Sequence, residues 1–149
     1  MWMMVQKAKL FSDEVRRDAV FEIFLRHDTL GEIARSMLKA TTPKEHKSLG
    51  RKVRNFDHKL WDENKSRIVE EGNWWKFTNS KEKAQLTEML LATGDRELVE
   101  ASPFDGIWGI GFGANAADAN RSERGENLLG KAIMNVRKRL REQQSSSQL

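Results

Sequence analysis

The chain has 149 residues, no cysteine and a formal net charge of +4, from 26 Lys and Arg against 22 Asp and Glu. At this length one domain buries roughly 68–70% of the surface its unfolded chain exposes, so the fold requires no disulfide or metal staple. The missing thiols exclude cysteine nucleophiles and thiolate metal sites, and no apolar run approaches the ~18 residues of a membrane span.

Residues 3–11 and 14–25 carry apolar side chains at helical intervals, the second with Val15, Ala19, Val20 and Phe24. The first begins at Met1 without a cap, which reads as an element whose upstream part has been cut away. Its opening, MWMMVQKAKLF, lacks the basic stretch of a signal peptide. The expected location is therefore the cytoplasm, with the nucleus as the alternative.

Thr29 and Glu32 have capping-box spacing ahead of Leu30, Ile33, Ala34, Met37 and Leu38, which share one helical face. Thr42-Pro43-Lys44-Glu45 repeats the box with proline at the first helical position, and Gly50 is the expected stop. Asp57 predicts a cap for a helix carrying Leu60, Trp61, Ile68 and Val69, ended by Gly72. Asn79 and Glu82 suggest another box before Leu86, Met89 and Leu90, closed by Gly94. Segments 97–101 and 107–112 read as extended, and the small, polar residues 113–126 as a loop. Asn127 opens a last helix with Leu129, Ile133, Val136 and Leu140 in register. The expected class is mainly α. A compact multihelical domain spans 1–141, with one or two short extended segments around 97–112 and a frayed, disordered tail at 142–149.

The stretch ASPFDGIWGIGFG, residues 101–113, suits neither a helix nor an ordinary strand. Asp105 and Trp108 stand there among glycines that let a ligand or another backbone come close. Breaking an N-glycosidic bond needs a carboxylate beside an oxocarbenium-like sugar, and an indole face can stack on a base. The competing reading is that Asp105 caps a turn and Trp108 fills the core. Gly109, Gly111 and Gly113 alternate as GxGxG, which is not the GxGxxG of a dinucleotide fold.

In GNWWKF, residues 72–77, two adjacent tryptophans cannot both face one core. One of Trp74 and Trp75 is expected to border a cleft, where Lys76 would hold a phosphate as a point charge. Packing between helices, with Lys76 in solvent, is the alternative. Lys7 poses the same choice. Asp95, Glu97 and Glu100 are candidates for a second carboxylate. Asn127 contacts a sugar on one reading and caps a helix on the other. His27, His46 and His58 lack metal-ligand spacing, and no cofactor is expected. The run RKRLR, residues 137–141, fits a solvated helix end better than a phosphate contact, because no aromatic interleaves with it.

These segments resemble the NADAR family, the YbiA-like N-glycosidases. The matching runs are WMMVQKAKLF, KATTPKEHKSLGRKVRNFD, GNWWKF, LLATGDRELVEASPFDGIWGIG and GENLLGKAIMNVRKRL, in the family's order from Trp2 to about Leu140. The resemblance implies a mainly helical fold and metal-free hydrolysis of an N-glycosidic bond. The implied substrate is a nucleotide-like small molecule, either a phosphoribosylamino-pyrimidine of riboflavin synthesis or an ADP-ribosyl adduct. Nucleic acid enters only as an ADP-ribosylated substrate.

By position, Asp105 matches the acid of the SPxDxxWGxG motif and is the implied catalytic residue. Trp108, Lys76, Lys7, Asn127 and Trp75 are the implied substrate-binding set. Family members carry an upstream glutamate regarded as catalytic, which would precede Met1. Residues 14–28 look inserted, and Arg124 stands where the family's WGxNxLG has tryptophan. The other class of function is a nucleotide- or ADP-ribose-binding module without hydrolysis.

Overall fold

A computed structural model describes residues 3, 6, 7, 10, 32–53 and 56–146. Met3, Gln6, Lys7 and Leu10 are helical. After them come α1 (Glu32–Lys39), α2 (Pro43–Gly50), α3 (His58–Asn79), α4 (Lys83–Ala92), the single turn α5 (Ala114–Ala117), a 3-10 turn (Arg121–Glu123) and α6 (Leu128–Ser146). No strand occurs among the described residues. The helix expected over 14–25 and the Thr29 cap lie outside them.

The chain divides into two compact units, Met1–Ile68 and Val69–Leu149, with the boundary inside α3. In the first unit, Ala34 and Met37 are fully buried, and Ile33, Leu38, Leu49 and Val53 pack on them. α2 begins as the sequence predicts. The Thr42 hydroxyl accepts the Glu45 N–H at 3.2 Å, the Glu45 carboxylate accepts the N–H groups of Thr41 and Thr42 at 3.0 Å each, and Pro43 fills the first turn. Asp57 Oδ1 caps α3 by accepting from Lys59 and Leu60 at 2.8 and 3.1 Å. These donors are among the orphan N–H groups of a helix start, and a carboxylate there also meets the positive end of the dipole.

α3 does not stop at Gly72. It runs 22 residues, to Asn79. A glycine inside a helix costs only about 1 kcal/mol relative to alanine, and the turns beyond it carry core residues. Phe77 joins Leu90, Val136 and Leu140 in the core of the second unit, with Trp74, Leu86, Leu91, Leu98 and Ile133 packed around them. Because α3 continues, Asn79 is helical and builds no box. Glu82 precedes α4 without a side-chain cap. The turn is held instead by the Thr87 hydroxyl, which donates to the Phe77 carbonyl at 3.0 Å.

α4 ends as expected, with Gly94 at φ +56° and its N–H on the Leu91 carbonyl at 3.0 Å. Arg96 folds back to donate to the carbonyls of Thr93 and Ala92 at 3.0 and 3.2 Å. α6 packs on α4. Arg137 of α6 is buried there and donates to the Thr93 hydroxyl at 2.6 Å and the Arg96 carbonyl at 2.9 Å. α6 continues through Glu142 to Ser146, where the sequence predicts fraying. The Ser145 and Ser146 hydroxyls bond back to the carbonyls four residues earlier.

Candidate active-site turn

Between α4 and α6 the backbone is irregular and is held by hydrogen bonds from one segment to another. The two segments expected to be extended form no ladder. They meet at one bond, from the Ile110 N–H to the Glu100 carbonyl at 3.0 Å. The loop 106–110 then lies across the start of α6. Glu126 donates to Gly106, Asn127 to Gly109, Leu128 to Ile107 and Leu129 to Trp108, at 2.8 to 3.1 Å. A helix start leaves its first N–H groups without intrahelical partners. Here the carbonyls of the loop take them, so the loop does the work of a cap.

Glycines make that approach possible. A Cβ on Gly125 would collide with the Gly106 carbonyl, and one on Gly109 would sit 2.6 Å from the Glu100 carbonyl oxygen. Within ASPFDGIWGIGFG it is thus Gly109 that serves backbone packing, while Gly111, at φ +74°, calls for glycine on its own account.

Asp105 closes the turn. Its Oδ1 accepts the N–H of Ile107 at 3.0 Å and of Trp108 at 2.8 Å, and its carbonyl accepts from Gly111 at 3.1 Å. This is the turn-capping arrangement set against the catalytic reading above. It engages one oxygen of the carboxylate and leaves Oδ2 without a hydrogen bond to a described residue. Asp105 and Trp108 are both half-buried.

Asn127 bonds through its side chain to another segment of backbone and not to its own helix. It sits at φ +52°, it is 6% exposed, and its side chain does not cap α6. The amide donates to the Leu98 carbonyl at 2.9 Å and accepts the Glu100 N–H at 3.1 Å, so it pairs with segment 98–100 as a strand would. Gly130 leaves the room, since a Cβ there would fall 2.5 Å from the Asn127 amide nitrogen. With one N–H and the oxygen of its amide engaged in this way, Asn127 positions the loop.

Arg124, at the place of the family's tryptophan, was not among the expected site residues. Its side chain is only 11% exposed and pairs with Glu97 at 2.9 Å while donating twice to the Ala117 carbonyl. That removes Glu97 from the candidate second carboxylates. Asp95 goes too, because Arg141 holds it at 2.6 Å and keeps its carboxyl below the ordinary range. The loop expected at 113–126 contains α5 and the 3-10 turn, on which Arg124 is anchored.

The remaining candidates come from helices. Trp74 packs on the core and carries the Arg139 guanidinium 4.0 Å above its ring. Trp75 is half-buried, and Lys76 is exposed with its ammonium 5.9 Å from the Phe77 ring. In the first unit, the Lys7 ammonium lies 3.9 Å from the Phe56 ring and 5.7 Å from Trp61, where burial lowers its pKa. His58 meets Phe56 edge-on at 4.7 Å. Among the described residues no group of three or more His, Asp or Glu is placed to hold a metal. No helix there is long and apolar enough to cross a membrane.

The NADAR domain model matches residues 1–141, which include the turn and both units' cores. The chain belongs to the NADAR family. It is 49% identical over 94 residues to an N-glycosidase of Acanthamoeba polyphaga mimivirus, covering 61% of this chain and 53% of that one. To an N-glycosidase of Nostoc punctiforme it is 40% identical over 102 residues, 68% of this chain and 58% of the relative. The irg-1 protein of Caenorhabditis elegans is 34% identical over 113 residues, 73% and 52% of the two chains. This NADAR chain thus spans a little over half the length of the curated relatives it matches.

Proposed function

We propose that this chain carries the core of an N-glycosidase. Water adds to the anomeric carbon of a ribosyl group, the C–N bond breaks, and the displaced nitrogen leaves with a proton. Asp105 is the carboxylate that stabilises the oxocarbenium-like sugar or aligns the water, and Trp108 stacks on the leaving base. Lys76 takes a phosphate group, and Trp75 borders the substrate. The substrate is a phosphoribosylamino-pyrimidine of riboflavin synthesis or an ADP-ribosyl adduct.

The observation that carries this reading is the half-engaged Asp105 carboxylate, one oxygen fixed by two amides and the other available, in a turn shared with an indole. Membership of a family with relatives named N-glycosidases supports it. The test is release of ribose 5-phosphate from an aminopyrimidine nucleotide, or of ADP-ribose from a modified guanine, by the wild type and by Asp105→Asn. No release from either substrate at high enzyme concentration ends the reading.

A second reading is a nucleotide- or ADP-ribose-binding module without hydrolysis. It is favoured by the double hydrogen bond on Asp105 Oδ1, which gives that residue a structural task sufficient in itself. Calorimetry with ADP-ribose separates the two: binding without release selects the module, and binding with release selects the enzyme.

A further inference from the structure

Asp105 is followed by Gly106, the one Asp-Gly step in a sequence that has no Asn-Gly. An aspartyl carboxyl can be attacked by the nitrogen of the peptide bond after it, which closes a succinimide ring. Glycine permits this best, because it puts no Cβ beside the attacking nitrogen.

The turn supplies the reacting groups. Asp105 Oδ1 accepts from Ile107 at 3.0 Å and from Trp108 at 2.8 Å, so the side chain is folded forward over the peptide bond that joins it to Gly106. The nitrogen of that bond is unengaged, since its N–H makes no hydrogen bond to a described residue. Gly106 is exposed, and nothing lies within 4 Å of the place a Cβ would take. Oδ2 has no described partner either and is the oxygen free to leave. Attack on Cγ drives negative charge onto Oδ1. The amides of Ile107 and Trp108 already point at that atom, at the distances of an oxyanion hole.

We propose that Asp105–Gly106 is a self-modification site, where the folded turn promotes conversion of aspartate to isoaspartate through a succinimide. The Gly106 nitrogen bonds to Cγ of the protonated carboxyl and the Cγ–Oδ2 bond breaks. Oδ2 leaves as water, taking the carboxyl and amide protons. Water then adds to the main-chain carbonyl carbon of Asp105, and the bond from that carbon to the Gly106 nitrogen breaks. The chain now runs through Cβ and Cγ. The carboxylate sits directly on Cα, out of place for the amides of Ile107 and Trp108. Only water is exchanged, and no oxidant or reductant takes part. A loss of turnover on conversion rests on the N-glycosidase reading; the modification itself does not.

The purified full-length chain, native or in guanidinium, is stored warm in mildly acidic buffer and digested with trypsin. The peptide 97–121 carries the site. It should appear first one water lighter, then at its original mass with isoaspartate at position 105, located by electron-transfer fragmentation. The native chain should convert at least about tenfold faster than the denatured one, in which the two amides are no longer aimed at Oδ1. Gly106→Ala, whose methyl group enters open space, should slow native conversion at least about tenfold. Gly113→Ala, equally open, should convert as the wild type does. Circular dichroism checks both folds, and the comparison of native with denatured wild type decides the matter if Gly106→Ala unfolds. Asp105→Asn should close the same ring by expelling ammonia, so its activity is read on fresh protein. Native conversion no faster than denatured, or a folded Gly106→Ala variant converting at the wild-type rate, would overturn the proposal. A chain that converts but never releases ribose 5-phosphate or ADP-ribose sinks only the proposed function, and an active chain that stays unconverted sinks only this site.

Discussion

Glu126 donates its backbone N–H to the Gly106 carbonyl at 2.8 Å, an approach open only because the residue before it, Gly125, has no side chain. A methyl group on Gly125 would meet that carbonyl and the Gly106 Cα, which are backbone atoms and cannot swing aside. Gly125→Ala should therefore push the 106–110 loop off α6 and cost about 1–3 kcal/mol, the usual range for overpacking. Gly113→Ala is the control, because nothing lies within 4 Å of a Cβ there, and its effect should stay within about 0.5 kcal/mol. Urea unfolding of the two variants compares them directly.

The Asp105 turn separates charge from geometry. Asparagine keeps an oxygen that can accept from Ile107 and Trp108, while the negative charge is lost. Asp105→Asn should keep the wild-type melting behaviour and lose about 10²–10⁴-fold in turnover, the range for a positioned acid or base. Asp105→Ala loses the acceptor as well and should cost a further ~0.5–2 kcal/mol of stability, like a missing cap. Parallel activity and thermal-melt measurements on both variants check this. Full activity in the asparagine variant would leave Asp105 a purely structural residue.

Features written within four residues of one another were legible in the sequence. The Thr42–Glu45 box, the Asp57 cap, the Gly94 stop and the pairing of Asp105 with its own turn each need only a side chain and the amides just after it. Gly72 misled because a local penalty of about 1 kcal/mol is small beside the burial of Phe77 a turn later. The roles of Asn127 and Arg124 were hidden for another reason. Their partners, Glu100 and Glu97, lie 27 residues away in sequence, and nothing in a single chain's pattern reports such pairings.

Glu45 makes the start of α2 sensitive to acid. Its carboxylate accepts the N–H groups of Thr42 and Thr41, and those bonds lower its pKa from the ordinary 4.5. Because the folded value is the depressed one, the stabilisation is complete above the ordinary value and is lost as pH falls through the folded value. Protection of the Thr41 and Thr42 amides, measured relative to intrinsic exchange at each pH, should fall on acidification through that window. Glu45→Gln should remove most of this pH dependence while leaving the Thr42 hydroxyl cap on the Glu45 position's N–H in place. Exchange rates measured by NMR from pH 6 to pH 3 test it, and identical profiles in both proteins would count against the capping box as their source.

The basic run at the end of α6 has mostly been given to the fold. Arg137 is buried against Thr93 and Arg96, Arg139 stacks on Trp74 and reaches Glu70 at 3.5 Å, and Arg141 pairs with Asp95. Lys138 is the one cation of the run for which no hydrogen bond, ion pair or ring contact to a described residue is found. Arg137→Met keeps the stem but strips two part-buried hydrogen bonds, to the Thr93 hydroxyl and the Arg96 carbonyl, and should cost about 1–3 kcal/mol. Lys138→Met should change stability by less than about 0.5 kcal/mol. In binding to duplex DNA, each phosphate neutralised contributes a slope of about −0.9 to log K against log salt. With a single cation of the run unengaged, Lys138→Met should flatten any slope by about that amount and no more. A loss of several such increments on removing Lys138 would mean that the arginines leave their partners for the phosphates.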